Sequence, residues 1–272
     1  MPMEQKEMAM FYDIERCSGC RACMVACKQW HDNEADFSTP FEGQFQSHAD
    51  FTPSTYTVVR FNERTDKEGK FHWDIWKTQC MHCQDPACLK GCPEDAIVRR
   101  ETGAVVIDHD KCVGCGYCNT NCPWGVPRVD PKTNKSHKCD LCFDRMENGM
   151  EPSCSKTCTA QALVWGPIHK MRELAHKRLD EIKEKYPDAN LYGVEPNGVG
   201  GTHMMYLLPE RPSVYGFPED PKTPASVDLY KTIVKPAGQA VVAAAAVGVA
   251  GLWGLTSLIK KRADENAKKG DE

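Results

Sequence analysis

Sixteen cysteines constrain this 272-residue chain more than any other feature, because they fall into four tight groups of four with none left over. The first group is Cys17-x2-Cys20-x2-Cys23-x3-Cys27 and the second is Cys80-x2-Cys83-x4-Cys88-x3-Cys92. The third is Cys112-x2-Cys115-x2-Cys118-x3-Cys122 and the fourth is Cys139-x2-Cys142-x11-Cys154-x3-Cys158. Cysteines two residues apart on a short loop converge on one point, which suits a metal better than distant bridging partners. An even count also admits a secreted disulfide framework. Against it, the chain is long enough to build a core without staples, and its cysteines are not scattered.

Thiolates are soft, anionic and able to hold the corners of an iron–sulfur cube from a short loop. In C-x2-C-x2-C the loop wraps one cube, and a fourth cysteine three residues on serves a different cluster in two-cluster ferredoxins. The first and third groups match that run; the second and fourth are stretched variants. Pro93 and Pro123 follow the last cysteine of groups two and three, as the ferredoxin pattern expects, whereas Lys28 and Thr159 stand there in groups one and four. The competing reading is structural zinc in a membrane adaptor. Zinc favours two CxxC pairs around a longer spacer and four ligands per tetrahedron, which these runs fit awkwardly. His82, Asp85 and Asp140 read as loop and turn residues rather than tuning groups, and Trp124 and Trp165 as shields against water. No GxGxxG, P-loop or nucleophile motif appears, so the chain reads as a non-catalytic electron carrier. A net charge of -4 argues against a nucleic-acid partner.

Between the groups, 53–61 and 71–76 read as β-strands joined by a turn at Asp66-Lys67-Glu68-Gly69, with a short strand at 104–108. Cys92-Pro-Glu-Asp-Ala-Ile and Cys158-Thr-Ala-Gln-Ala-Leu share a Cys-x3-Ala-apolar pattern, which suggests one small cluster-binding unit used more than once. Ile168, Met171, Leu174, Ala175, Leu179 and Ile182 predict an amphipathic helix over 168–186. The Gly- and Pro-rich stretch that follows reads as an extended connector, 189–235. Residues 236–259, PAGQAVVAAAAVGVAGLWGLTSLI, carry no charge; a spanning helix needs about 20 such residues. A soluble core helix, the competing reading, seldom runs this long without a charge. Its Ala and Gly content permits close approach to another transmembrane helix. Lys260, Lys261 and Arg262 open a charged tail, 260–272, and favour a cytoplasmic C-terminus with the cluster region outside. Yet no apolar segment of an export signal precedes Phe11.

The four groups, in this order and with the long gap in the fourth, resemble the four-cluster subunits of molybdopterin oxidoreductases and of some membrane hydrogenases. Three stretches are similar to the iron–sulfur (beta) subunit of membrane-bound formate dehydrogenase in particular: CSGCRACMVACKQWHD (17–32), CPWGVPRVDPKTNKSHKCDLCFDRMENGMEPSCSKTC (122–158) and GVGGTHMMYL (198–207), the last followed by a GFPEDPKTP linker and one C-terminal helix. The resemblance implies an α+β fold of two bacterial-ferredoxin-like units plus a transmembrane helix. The first unit would be discontinuous (1–30 and 131–188), with a β-hairpin insertion (31–77) and the second unit (78–130) inside it. It implies four [4Fe–4S] clusters: one on Cys17, Cys20, Cys23 and Cys158; one on Cys27, Cys139, Cys142 and Cys154; one on Cys80, Cys83, Cys88 and Cys122; and one on Cys92, Cys112, Cys115 and Cys118. Cys115 stands where nitrate reductase subunits carry Trp, so no three-iron site is expected. Implied partners are a molybdopterin (Mo or W) catalytic subunit that oxidises formate to CO2, a membrane cytochrome b or quinone-reactive subunit, and the lipid bilayer. The implied location is a bacterial inner membrane, with the folded chain exported alongside a catalytic subunit that carries the signal. The equivalent subunit of a membrane hydrogenase or another molybdopterin reductase is the alternative.

Overall fold

Six residues near the N-terminus, MAMFYD, form β1 (Met8–Asp13), a strand buried over nearly its whole length. A strand without alternation must be covered on both faces, and the rest of the chain supplies that cover. The computed structural model describes residues 7–35, 45–46 and 49–269. Residues 1–6, 36–44 and 47–48 of the expected first unit and insertion, and 270–272 of the expected tail, lie outside the described residues.

After β1 come α1 (Ala22–Trp30), β2 (Val58–Thr65), β3 (Phe71–Thr78), α2 (Ala87–Lys90), β4 (Ile97–Arg99), β5 (Val105–Ile107), α3 (Tyr117–Thr120), β6 (Arg128–Asp130), β7 (Lys135–His137), α4 (Phe143–Glu147) and α5 (Ser153–Lys156). β8 (Leu163–Pro167), α6 (Ile168–Ile182), β9 (Asn190–Tyr192) and β10 (Met204–Leu208) complete the unit Met1–Pro224. The main sheet has the order β8-β1-β10-β9, with β10 parallel to β1 and the outer strands antiparallel to their neighbours. The expected strand pair forms as the β2–β3 hairpin around residues 66–70. Its first strand starts at Val58, beyond a tight Thr52–Thr55 bridge, because Pro53 has no N–H to give to a ladder. Two smaller hairpins, β4–β5 and β6–β7, follow the second and third cysteine groups.

The sheet separates two cores. Ala9, Phe11, Met205 and Leu207 face α6, through Ile168, Met171, Ala175 and Ile182. Met10, Tyr12, Met204, Tyr206 and Leu208 point the other way, among Leu141, Met146, Cys154 and Leu163. The period of two along β1 and β10 therefore divides structural core from cysteine-bearing core. Arg178 of α6 fastens the sheet end with a 2.8 Å bond from Nε to the buried carboxylate of Asp13.

The segment 189–235 is not the extended connector expected. It contributes β9 and β10, and all of MMYLL in β10 is buried. The glycines that suggested a connector are turn residues: Gly193, Gly200 and Gly201 all have positive φ, a conformation open to glycine at little cost.

The described residues of the second unit, Ala225–Glu272, are helical. α7 (Ala225–Leu229) runs through a π-helical turn at Tyr230–Val234 into α8 (Lys235–Lys269). The charged residues 260–269 thus continue the helix rather than leave it. Val241, Val247, Leu252, Trp253, Leu258 and Ile259 are exposed. The hydroxyls of Thr256 and Ser257 donate to the Trp253 carbonyl at 2.9 and 2.8 Å, so neither is unpartnered toward lipid. Among the described residues one helix, Ala225–Lys260, is long and apolar enough to cross a membrane.

Candidate metal centres

Each cysteine loop is turned inward by left-handed residues: Gly19 and Arg21 in the first group, His82 in the second, Gly114 and Gly116 in the third, Leu141 and Cys142 in the fourth. Such turns aim successive backbone N–H groups at a common point, an anion-binding arrangement. Several reach sulfur. N–H groups of Gly19, Ala96, Ser136 and Leu141 donate to Sγ of Cys17, Cys92, Cys112 and Cys139, all at 3.4 Å. The Ser136 hydroxyl lies 3.1 Å from Cys118 Sγ, and that of Ser153 lies 3.5 Å from Cys142 Sγ. The repeated Cys-x3-Ala pattern has a local cause as well: Asp95 and Gln161, three residues after Cys92 and Cys158, both take positive φ before a strand begins.

The fold brings the cysteines together across the groups. Cys17, Cys20, Cys23 and Cys158 line one cavity with Tyr12 and Lys77. Cys92, Cys112, Cys115 and Cys118 line another with Ser136. Cys80, Cys88 and Cys122 all act electrostatically on the thiol of Cys83. Cys27 acts on Cys139, Cys142 and Cys154. Helix contacts follow the same division: α1 lies against α5, and α2 against α3. Exposure differs sharply among the quartets. Cys20 and Cys115 are exposed, whereas Cys27, Cys139, Cys142 and Cys154 are all buried.

The donor sets fit iron–sulfur clusters. Burial, reinforced by neighbouring thiols, pushes Cys23 up to about 12, and burial likewise pushes Cys122 and Cys142 up to about 11. Protonated thiols at this density are poor hydrogen-bonding groups, and a bound metal replaces their protons. The Tyr206 hydroxyl is fully buried, has no hydrogen-bond partner among the described residues, and lies under the influence of Cys139, Cys80 and Cys154. A cluster sulfur is the kind of acceptor it lacks.

Two models described as 4Fe-4S dicluster domains match residues 16–96 and 71–168. The formate dehydrogenase-O iron–sulfur subunit of Escherichia coli is 41% identical over 266 residues, covering 96% of this chain and 87% of that one. The formate dehydrogenase iron–sulfur subunit of Haemophilus influenzae is 41% identical over 247 residues, 89% of this chain and 77% of that one. The chain belongs to the formate dehydrogenase iron–sulfur subunit family. A component of the anaerobic dimethyl sulfoxide reductase of E. coli is 35% identical over 171 residues, only 61% of this chain, which favours the formate dehydrogenase family over the alternative. As a member of it, the chain is an electron-transfer subunit that binds [4Fe–4S] clusters on two ferredoxin-like dicluster domains, and its apolar C-terminal helix fits a membrane anchor.

Around the cysteines of this family member are residues that sequence reading missed or undervalued. His82 is fully buried, and its Nδ1 accepts the Val105 N–H at 3.0 Å. Asp140 accepts from His31 Nε2 at 3.0 Å and from the Cys142 N–H at 2.8 Å. Burial opposes a charged His31, but the bond to Asp140 and the nearness of Cys27 outweigh it and raise His31 to about 11. Trp124 donates to the Tyr192 hydroxyl at 3.0 Å while packing beside Cys122 and Cys139, and Trp165 lies against Met146. The GVGGTH stretch, first noticed only as a mark of resemblance, braces the second cysteine loop: Thr202 bridges Cys83, and Gln84 and Asp85 donate to the carbonyls of Gly201 and Val199. Two lysines, Lys77 and Lys138, are buried beside the cysteines. The available signal was position: Lys77 stands next to last in β3, three residues before Cys80, and Lys138 directly precedes Cys139.

Proposed function

We propose that this chain holds four [4Fe–4S] clusters and links a molybdopterin catalytic subunit, which oxidises formate to CO2, to a membrane cytochrome b or quinone acceptor. The ligand sets are Cys17, Cys20, Cys23, Cys158; Cys27, Cys139, Cys142, Cys154; Cys80, Cys83, Cys88, Cys122; and Cys92, Cys112, Cys115, Cys118, called quartets one to four. Bound clusters supply one-electron redox chemistry with no proton or atom transferred. The chain's residues determine where that chemistry sits and who can reach it. The observation that carries the reading is the exposure pattern: quartets one and four reach the surface at Cys20 and Cys115, and the second quartet is wholly buried. Two ends open to partners and a covered interior are what a conductor between two subunits needs. The α1–α5 and α2–α3 contacts support two ferredoxin-like units with the second inserted into the first. The anchor is oriented with the cluster region periplasmic and the C-terminus cytoplasmic, on the strength of Lys260, Lys261 and Arg262 after the apolar stretch.

The test is anaerobic bleaching of cluster absorbance in the complex that co-purifies with this chain. Formate should bleach it and hydrogen should not; bleaching by hydrogen alone would reassign the donor. Iron analysis of Cys158→Ala tests the sets: about one quarter of the iron should be lost. Full iron would remove Cys158 from the ligands. A reporter fused after Glu272 that is active only in the periplasm would reverse the orientation.

A further inference from the structure

Sixteen thiol ligands draw attention to anions, yet the residues that stand out between them are cations. Lys77 is 1% exposed and Lys138 is 6% exposed. Lysine is almost never buried without a partner, and among the described residues neither forms an ion pair with a carboxylate. The Lys77 ammonium donates to the Gln79 side-chain oxygen, and Lys138 donates to the carbonyls of Val105 and Cys139. These are neutral dipoles. A buried ammonium with only neutral partners is strongly disfavoured unless an anion lies close by.

The main anions are the quartets. Lys77 lines the cavity of quartet one, and on its other side it is acted on by Cys154, Cys139 and Cys27 of quartet two. Lys138 is acted on by Cys80 and Cys88 of quartet three and by Cys139 of quartet two, with a smaller effect from the Asp140 carboxylate, which is itself bonded to His31. The two lysines thus occupy successive junctions, one-to-two and two-to-three. Quartet four has no such buried lysine among the described residues: Lys135, which bonds the Cys112 carbonyl at 2.6 Å, is only half-buried.

We infer that Lys77 and Lys138 are potential-setting residues, each a fixed positive charge shared by two adjacent cluster sites. The inference rests on the four ligand sets proposed above. Reduction adds one electron to a site and forms or breaks no bond, so its cost depends on the local charge. In a dry interior one ammonium acts strongly on both neighbours. Because both move in the same direction, the charge eases reduction of each site without creating a step between them. Screening by salt, which weakens surface charges, does not reach these positions.

The experiment is an EPR-monitored redox titration of the intact membrane complex carrying Lys77→Met, Lys138→Met, or the charge-keeping Lys77→Arg and Lys138→Arg. Iron content is measured on each sample. Each Met variant should lower the reduction equilibrium constant of two titration steps by about tenfold, equal to about 59 mV for one electron. One step (quartet two) should move in both variants, and one step (quartet four) in neither. The Arg variants should stay near the parent potentials. Unmoved potentials with full iron would overturn the inference while leaving the ligand sets intact. Iron missing from the unsubstituted complex would instead overturn the ligand sets. Loss of clusters in the Met variant and their retention in the Arg variant supports a role for charge. Loss in both means that shape decides, and overturns the inference.

Discussion

Leu207 offers a direct test of the reassigned 189–235 segment. It is wholly buried in β10, on the sheet face that meets α6, beside Phe11, Ile168, Met171 and Ala175. Leu207→Ala removes three carbons from a site fixed on both sides, by the parallel β1 ladder and by the antiparallel β9 ladder. Neighbours held in two ladders relax little, so the cost lies in the range of about 2–5 kcal/mol known for buried Leu→Ala changes, with about 3 kcal/mol a central value. At about 1.36 kcal/mol per tenfold, 3 kcal/mol is a factor of about 150. Hydrogen exchange of the β1 and β10 amides reads this directly, because protection reports the free energy of the opening that exposes them. The samples are kept anaerobic and cluster-loaded, so no reversible global unfolding is required. Protection at residues 204–208 should fall by about two orders of magnitude. Lys222→Ala, at an exposed position in the same stretch, should leave it unchanged. A fall of less than about threefold for Leu207→Ala would mean that β10 is not the interior strand described, since surface positions cost within about 0.5 kcal/mol.

Arg178→Met should cost about 3 kcal/mol, because it leaves the buried Asp13 carboxylate with the Glu15 N–H at 3.2 Å and the more exposed Arg16 at 3.5 Å but without its buried counter-charge; α6 amide protection measures it, and partial recovery in the Asp13→Asn double variant checks the cause. Gly114→Ala places a Cβ 2.3 Å from the Asn134 carbonyl oxygen at a residue with φ +68. It should lower iron in the third cysteine loop by up to about one quarter of the total, and full iron with parent spectra would refute the fit. Burial holds His82 and His203 below the ordinary imidazole range, with the Lys138 charge adding to the effect at His82 and Arg99 at His203. Their unfolded forms therefore take up protons first. The contribution of these two histidines to stability should be flat above pH about 6.5 and fall below it, by up to about 1.4 kcal/mol per pH unit for each. His203→Gln should remove one proton from that slope between pH 7 and 5, and an unchanged slope would exclude His203 as a source.

The cysteine spacing carried the chemistry of this protein by itself, because a C-x2-C-x2-C loop converges its sulfurs through backbone geometry confined to seven residues. The β2–β3 hairpin, α6 and the apolar C-terminal stretch were legible for the same reason: each is a local periodicity. What the sequence left open depended on contacts between distant residues. MMYLL reads as apolar wherever it lies, and only its parallel pairing with β1 makes it the centre of the sheet. Glycines at 193, 200 and 201 read as slack until the turns they make are seen to brace the loop of Cys83. Lys77 and Lys138 look like two of many lysines in a charged chain. Burial is a property of the assembled fold, and the fold alone encloses these two between groups of cysteines that the sequence sets far apart.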